Sequence, residues 1–380
     1  MTQDKWIADK LAQAMPFSLS MLQGDVISAV VNAIMSITSP AERKFALASA
    51  FDLLVSAEYY GLVGDEGWLA CSTENPIILY PYTNICPKCI MTGKFVYHKA
   101  NKPKSGVIGA ITSKLLAGII QEIVHRRYPS IRVLKGREPI DIIFFDEIPS
   151  PIKVFFGEIK ASPLITFPLC TSPKEPSSQD IPHAPLKIKT TATEISLLLP
   201  DNSYSLGYKS SHNDTSWAMR GILQLLAQPT FFMNYFSHWK QALTAYSHKN
   251  FLPIYWLTNG CGQPVPRPAN WVKRGDGGGY ESVSDSKTSV GMDRTDDIKK
   301  GIYQVFNLSI AGKPSSAYNY TVGLVSNIHA VHHYADYLSQ FADIVWTRRQ
   351  SDTFFNLFDG IIALTQTITD DEWLSQIFDF

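Results

Sequence analysis

Asp141, Glu158 and Lys160 are the residues of this chain whose types and spacing best suit chemistry. Sixteen residues separate the two carboxylates, enough for a strand, a tight turn around Ser150 and a second strand. In the run Ile140 to Phe145 both alternating faces are apolar, so Asp141 sits in a central strand. In the run Lys153 to Lys160, Val154, Phe156, Glu158 and Lys160 share one face. Glu158 and Lys160 lie about 6.6 Å apart along it, at a rise of roughly 3.3 Å per residue. Opposed carboxylates on adjacent strands come close enough to share one cation. Buried and uncompensated, they would be costly. A hard divalent cation such as Mg²⁺ offsets that cost, because it takes oxygen ligands and keeps positions open for water. A lysine beside it can orient or deprotonate such a water. The plain alternative is a structural ion-pair cluster; the three groups together on apolar strands favour the metal.

A third carboxylate stands upstream. Ile111, Leu115, Ile119 and Glu122 fall on one face at helical spacing, which points Glu122 toward the sheet. The elements that must hold these groups follow in order. Ser105 to Arg127 has helical period, and Ile131 to Leu134, Ile140 to Phe145 and Lys153 to Lys160 read as three strands with short turns. The first 62 residues read as helices, with a capping-box start at Ser39-Pro40-Ala41-Glu42. Thr215 to Tyr246 is a long aromatic helical segment, and Leu252 to Leu257 a strand. Helices are expected around Thr295 to Phe306, Ala330 to Phe341, Asp352 to Thr365 and Asp370 to Phe378. The fold class this predicts is α/β (α+β), a central mixed β-sheet flanked by helices. Four consecutive segments suggest themselves: a helical region 1–75, a cysteine-containing segment 76–104, a core 105–270, and a polar loop with C-terminal helices 271–380.

A helix glutamate (Glu122), then Pro139-Ile140-Asp141, then Glu158-Ile159-Lys160 resembles the PD-(D/E)XK nuclease superfamily. Pro directly precedes Asp in the bare motif; here Ile140 intervenes, a departure that the motif tolerates. The stretch Phe156-Gly157-Glu158-Ile159-Lys160-Ala161-Ser162-Pro163 further resembles type II restriction endonucleases. The resemblance covers about residues 85 to 170. It implies a restriction-endonuclease-like core in which Asp141 and Glu158 hold Mg²⁺, Lys160 assists the attacking water, and Glu122 supports the metal or the fold. It also implies hydrolysis of duplex DNA at a specific sequence by a homodimer in a prokaryotic cytoplasm, with a companion DNA methyltransferase encoded nearby. Two alternatives stand beside it: a repair or recombination nuclease of the same fold, and a non-catalytic zinc-containing DNA-binding protein.

Cys86-Pro87-Lys88-Cys89 has the spacing of a zinc knuckle. Zinc needs four ligands in a closed structural site, and Cys71 and His98 are the nearest further candidates. A thioredoxin-like redox pair is disfavoured, since no βαβ pattern follows. Cys170 and Cys261 read as core residues. His329, His332 and His333 sit at helical spacing without the intervening glutamate of a zinc helix.

The chain has 380 residues with 34 basic and 34 acidic side chains, but the charge is unevenly spread. Residues 1–80 carry −5 and residues 81–140 carry +9. The basic block, with Lys102 and Lys104, is the best electrostatic footprint for phosphates. Arg274, Lys287 and Arg294, in or beside a long glycine-rich polar loop, are candidates for contacting DNA, among acidic neighbours that suit base-edge reading. With 45% hydrophobic and 18% charged residues, whole-chain disorder is excluded. The apolar run Val26 to Met35 is too short to span a bilayer, which argues for no membrane partner. The N-terminal residues lack a basic leader and apolar run, and five cysteines argue against a disulfide scaffold.

Overall fold

Helix starts and stops are written locally. Ser20 and Ser39 each accept a hydrogen bond from the backbone three residues on, and Gln23 completes a reciprocal capping box with Ser20. A computed structural model of the chain describes residues 2–379, apart from 64–67, 72, 74–75, 82, 84, 97–104, 172–184, 189–190, 192, 249–252, 263–289, 342–343 and 348–352. The chain opens with helices α1 (Gln3–Ala12), α2 (Met21–Met35) and α3 (Pro40–Leu62). Strands β1 (Trp68–Cys71) and β2 (Ile77–Leu79) lead to a short α4 (Pro87–Thr92) and a long α5 (Ser105–Arg127). A meander follows: β3 (Arg132–Lys135), β4 (Ile142–Asp146) and β5 (Ile152–Ile159). Next come β6 (Leu169–Thr171), β7 (Pro185–Ile188), β8 (Ile195–Leu198), β9 (Ser203–Gly207), α6 (Trp217–Leu226) and α7 (Phe231–Ser247). The last third holds α8 (Thr295–Gly312), β10 (Tyr318–Ser326), α9 (Tyr334–Tyr337), β11 (Val345–Thr347), β12 (Phe354–Asn356), β13 (Gly360–Ala363), β14 (Gln366–Thr369) and α10 (Glu372–Phe378).

The chain divides into two compact units, and both are discontinuous in sequence. The first comprises Met1–Ala48, Thr112–Ser162 and Gly291–Phe380; the second comprises Ser49–Ile111 and Pro163–Val290. The four consecutive segments expected from sequence are therefore replaced by interleaved ones. The physical reason is strand pairing at a distance: β5 is completed by β10, more than a hundred residues later. The fold class is as expected, mixed α/β with helices flanking mixed sheets.

The first unit's sheet has the order β14-β13-β10-β5-β4-β3. β3, β4 and β5 run antiparallel, whereas β10 lies parallel to β5 from Tyr318↔Ile152 to Val325↔Ile159. Val154, Phe155 and Phe156 are all buried, as a strand covered on both faces requires. On one face Phe156, Val322 and Leu324 meet Ile298, Ile302, Val305 and Leu308, which recur at helical spacing along α8. The second unit holds another six-stranded sheet, β7-β1-β2-β6-β8-β9, with the aromatic helices α6 and α7.

Several local expectations are corrected. Leu252–Leu257 is not a strand: Pro253–Leu257 is a 3₁₀ turn, as a proline without an amide donor favours. The helix expected over Asp352–Thr365 is β12 and β13, because the apolar run Ile361-Ile362-Ala363 pairs with β10. The helix over Ala330–Phe341 shrinks to α9 and a 3₁₀ turn. Pro87, inside the cysteine pair, occupies the first position of α4. Among the described residues one helix, Gly106–Arg127, is long and apolar enough by length and composition to cross a membrane, longer than the run at Val26–Met35. More than half of its most apolar stretch is buried within the protein.

Candidate active site

Asp141 lies one residue before β4, and Glu158 lies near the end of β5. The pairing Ile142↔Gly157, carried one step further, sets Asp141 against Glu158. The Asp141 amide donates to the Gly157 carbonyl at 3.1 Å. Its Oδ2 accepts from the Ile159 amide at 2.9 Å, so backbone on both sides fixes the carboxylate. Glu158 is 3% exposed, a burial that a glutamate tolerates only with partners. Its Oε1 accepts a hydrogen bond from Lys160 Nζ. Lys160 Nζ also donates to Gln304 Oε1 on α8, at 3.4 Å. The chain leaving Lys160 is clamped: the Asn327 amide pairs with Ser162, accepting at 3.1 Å and donating at 2.9 Å.

The electrostatics follow from burial. Loss of solvent, then the negative charge of Asp141, pushes the Glu158 carboxyl up to about 7, against the pull of Lys160. Asp141 is also raised, by burial first, with the Ile159 amide and the charges of Lys160 and Lys135 opposing. Two carboxyls forced together at the end of a buried strand repel unless a proton or a cation lies between them. Such a pair of hard oxygen donors, beside a lysine, fits a divalent cation of the Mg²⁺ kind. Asp141, Glu158 and Lys160 thus meet with the geometry their spacing suggested.

Glu122 does not join them. Its carboxylate accepts from Arg126 Nε at 2.8 Å, and Arg126 donates in turn to Asn32 Oδ1 and Ser28 Oγ of α2, at 2.6 Å and 2.9 Å. The expected turn toward the sheet fails because α5 is buried around most of its girth from Leu115 to Ile120. One apolar stripe could not tell which neighbour Glu122 would face. Arg294, offered as a DNA contact, pairs with Asp297 at 2.8 Å at the start of α8. Lys102, Lys104, Arg274, Lys287 and His98 lie outside the described residues.

Sequence reasoning missed Gln304, Asn327 and Gly301. The last stands on α8 where an added Cβ would come 2.8 Å from Leu324 and 3.2 Å from Lys160 Cε. Only the helical offset of three between Gly301 and Gln304 marked that face in the sequence.

In the second unit, Cys71, Cys86 and Cys89 are buried with their sulfurs within 4.8 Å of one another, and the group could hold a metal such as zinc. Hydrogen bonds from Cys86 and Cys89 pull the Cys71 thiol down toward thiolate. Cys170 and Cys261 are buried outside that group. His329 is buried, its ring 4.8 Å from that of Tyr334. Asp293 collects the amides of Val331, His332 and His333, so this histidine run is tied down through its backbone.

Family models, curated proteins and solved structures yield no match to this chain. The arrangement of side chains is therefore what bears on function.

Proposed function

We propose that this chain is a type II restriction endonuclease-like enzyme of the PD-(D/E)XK kind, hydrolysing phosphodiester bonds in duplex DNA at a specific sequence with Mg²⁺. The observation that carries this reading is the convergence of Asp141, Glu158 and Lys160 at one end of the β4–β5 pair, with Glu158 buried, Asp141 and Lys160 half-buried, and all three hydrogen-bonded. The order of α5 and the three meander strands supports it. In this reading Asp141 and Glu158 hold Mg²⁺, which when bound stabilises charge on the phosphate and makes a water more acidic. Asp141 is pre-positioned by the Ile159 amide. Lys160 opposes the protonation of Glu158 and its Nζ orients the attacking water. Gln304 limits the rotamers open to Lys160. Any zinc at the cysteines has a structural role. A homodimer on a palindromic site completes the reading, since protein two-fold symmetry then matches that of DNA.

Digestion of a mapped plasmid by the purified protein tests the proposal. Discrete, Mg²⁺-dependent fragments are expected. Degradation without discrete fragments would favour a repair or recombination nuclease, and intact DNA under all divalent metals would sink the enzymatic reading.

Gly301 supplies a finer test. In Gly301→Ala the new methyl meets Leu324 Cδ2 at 2.8 Å and the Lys160 stem at 3.2 Å, so both side chains must shift. We expect single-turnover cleavage to fall by about tenfold or more, because small misplacements of a reacting group are costly, while DNA affinity is kept. A wild-type rate would show that the position of Lys160 is not critical.

A further inference from the structure

Three cysteines meet in the second unit without any backbone need for them. Cys71 ends β1, which is already held by its pairing with β2 and β7. Cys86 occupies the N-cap of α4 and Cys89 follows one turn later; Pro87 starts that helix and Gly93, at φ +70°, ends it. All three side chains turn inward, and each sulfur lies within 4.8 Å of the other two. The Cys71 and Cys89 sulfurs are 3.5 Å apart. Two thiolates on one tetrahedral zinc, at Zn–S distances of about 2.3 Å, stand roughly 3.8 Å apart. A disulfide needs about 2.05 Å and would use only two of the three. Buried cysteines that act merely as small apolar residues have no reason to gather sulfur to sulfur.

The geometry points to a zinc ion bound by Cys71, Cys86 and Cys89 as thiolates, stapling the end of β1 to the first turn of α4. The fourth ligand enters on the side of Thr73, an exposed residue whose hydroxyl lies 2.9 Å from the Cys71 sulfur and 3.6 Å from that of Cys89. Thiolates select a soft metal over Mg²⁺. The two candidate centres therefore sort two metals by donor chemistry: oxygen at Asp141 and Glu158, sulfur here. The ion joins Cys71 to Cys89, 18 positions apart in sequence, so its binding energy enters the stability of the second unit.

Elemental analysis of full-length protein, purified without a metal-affinity tag, tests this. About one zinc per chain is expected for a single three-thiolate site. Cys71→Ser, Cys86→Ser and Cys89→Ser should each lose it, while Cys170→Ser and Cys261→Ser keep it. Cobalt(II) added to zinc-free protein should give the charge-transfer band of thiolate ligation. Absence of zinc from the wild type, or full zinc in Cys71→Ser, overturns the proposal. Should the serine variants fail to fold, wild-type protein is titrated with an organomercurial. Release of zinc in step with loss of thiols supports the site, and release without thiol loss overturns it. None of these readouts involves DNA cleavage, so the result stands apart from the nuclease reading.

Discussion

Asp141→Asn, Glu158→Gln and Lys160→Ala should each lose DNA cleavage by about a hundredfold or more, the scale of removing one transition-state stabiliser. Asp141→Asn keeps an acceptor for the Ile159 amide, so the strand ends stay in place while one charge is lost. Glu158→Gln keeps size and burial but cannot neutralise a cation. Lys160→Ala leaves Glu158 without its ammonium partner, and burial then pushes that carboxyl up further. DNA affinity, measured with Ca²⁺ in place of Mg²⁺, should stay within about tenfold, because phosphate contacts elsewhere supply most of the binding. Melting curves of the three proteins are the control for folding. Cleavage by Asp141→Asn at the wild-type rate would remove the assignment of this site.

Asp52→Ala should destabilise the protein by roughly 3–5 kcal/mol, since three buried donors lose their acceptor together. Asp52 lies on α3 in the second unit and is fully buried. Its Oδ2 accepts from the amides of Leu164 and Ile165, at 3.0 Å and 3.1 Å, and from Trp239 Nε1 at 2.7 Å. Burial outweighs those bonds and raises its pKa well above the usual carboxylate value. The native state thus holds a proton that the unfolded chain releases near pH 4. Stability from this group is complete below that pH and declines as pH rises toward the native value. Asp52→Asn cannot ionise, so wild type should lose stability relative to this variant between pH 5 and pH 8. Urea unfolding of both proteins at the two pH values measures the difference. If it does not change with pH, Asp52 ionises alike in both states.

The candidate site was legible because its signals are local. The alternating apolar runs around Asp141 and Glu158 fixed the strands, and a gap the length of one turn made them neighbours. The capping residues Ser20 and Ser39 worked the same way for helices. What escaped depends on contacts distant in sequence. β10 pairs with β5 from Tyr318 to Val325 and with β13 from Gly323 to Ser326; its run does alternate, with Asn319, Thr321 and Gly323 between apolar residues, but that alternation does not say that its neighbours are β5 and β13. Gln304 matters through Lys160, 144 positions earlier, and no spacing rule reaches that far. Glu122 shows the opposite failure: the helical phase is local, but the neighbour that claims the side chain, α2, is not.

The pairing of β5 with β10 also bears on the birth of the protein. A ribosome releases β5, with Glu158 already in it, long before β10 has been made. Until then β5 is an edge, and its open hydrogen-bonding side invites pairing with other chains. Val325, whose carbonyl receives the Lys160 amide, and Asn327, which clamps Ser162, arrive together at the end of that late strand. Lys160 therefore gains its anchorage only after most of the polypeptide has been translated, so a nascent chain carries the residues of the candidate site in sequence before it holds them in place.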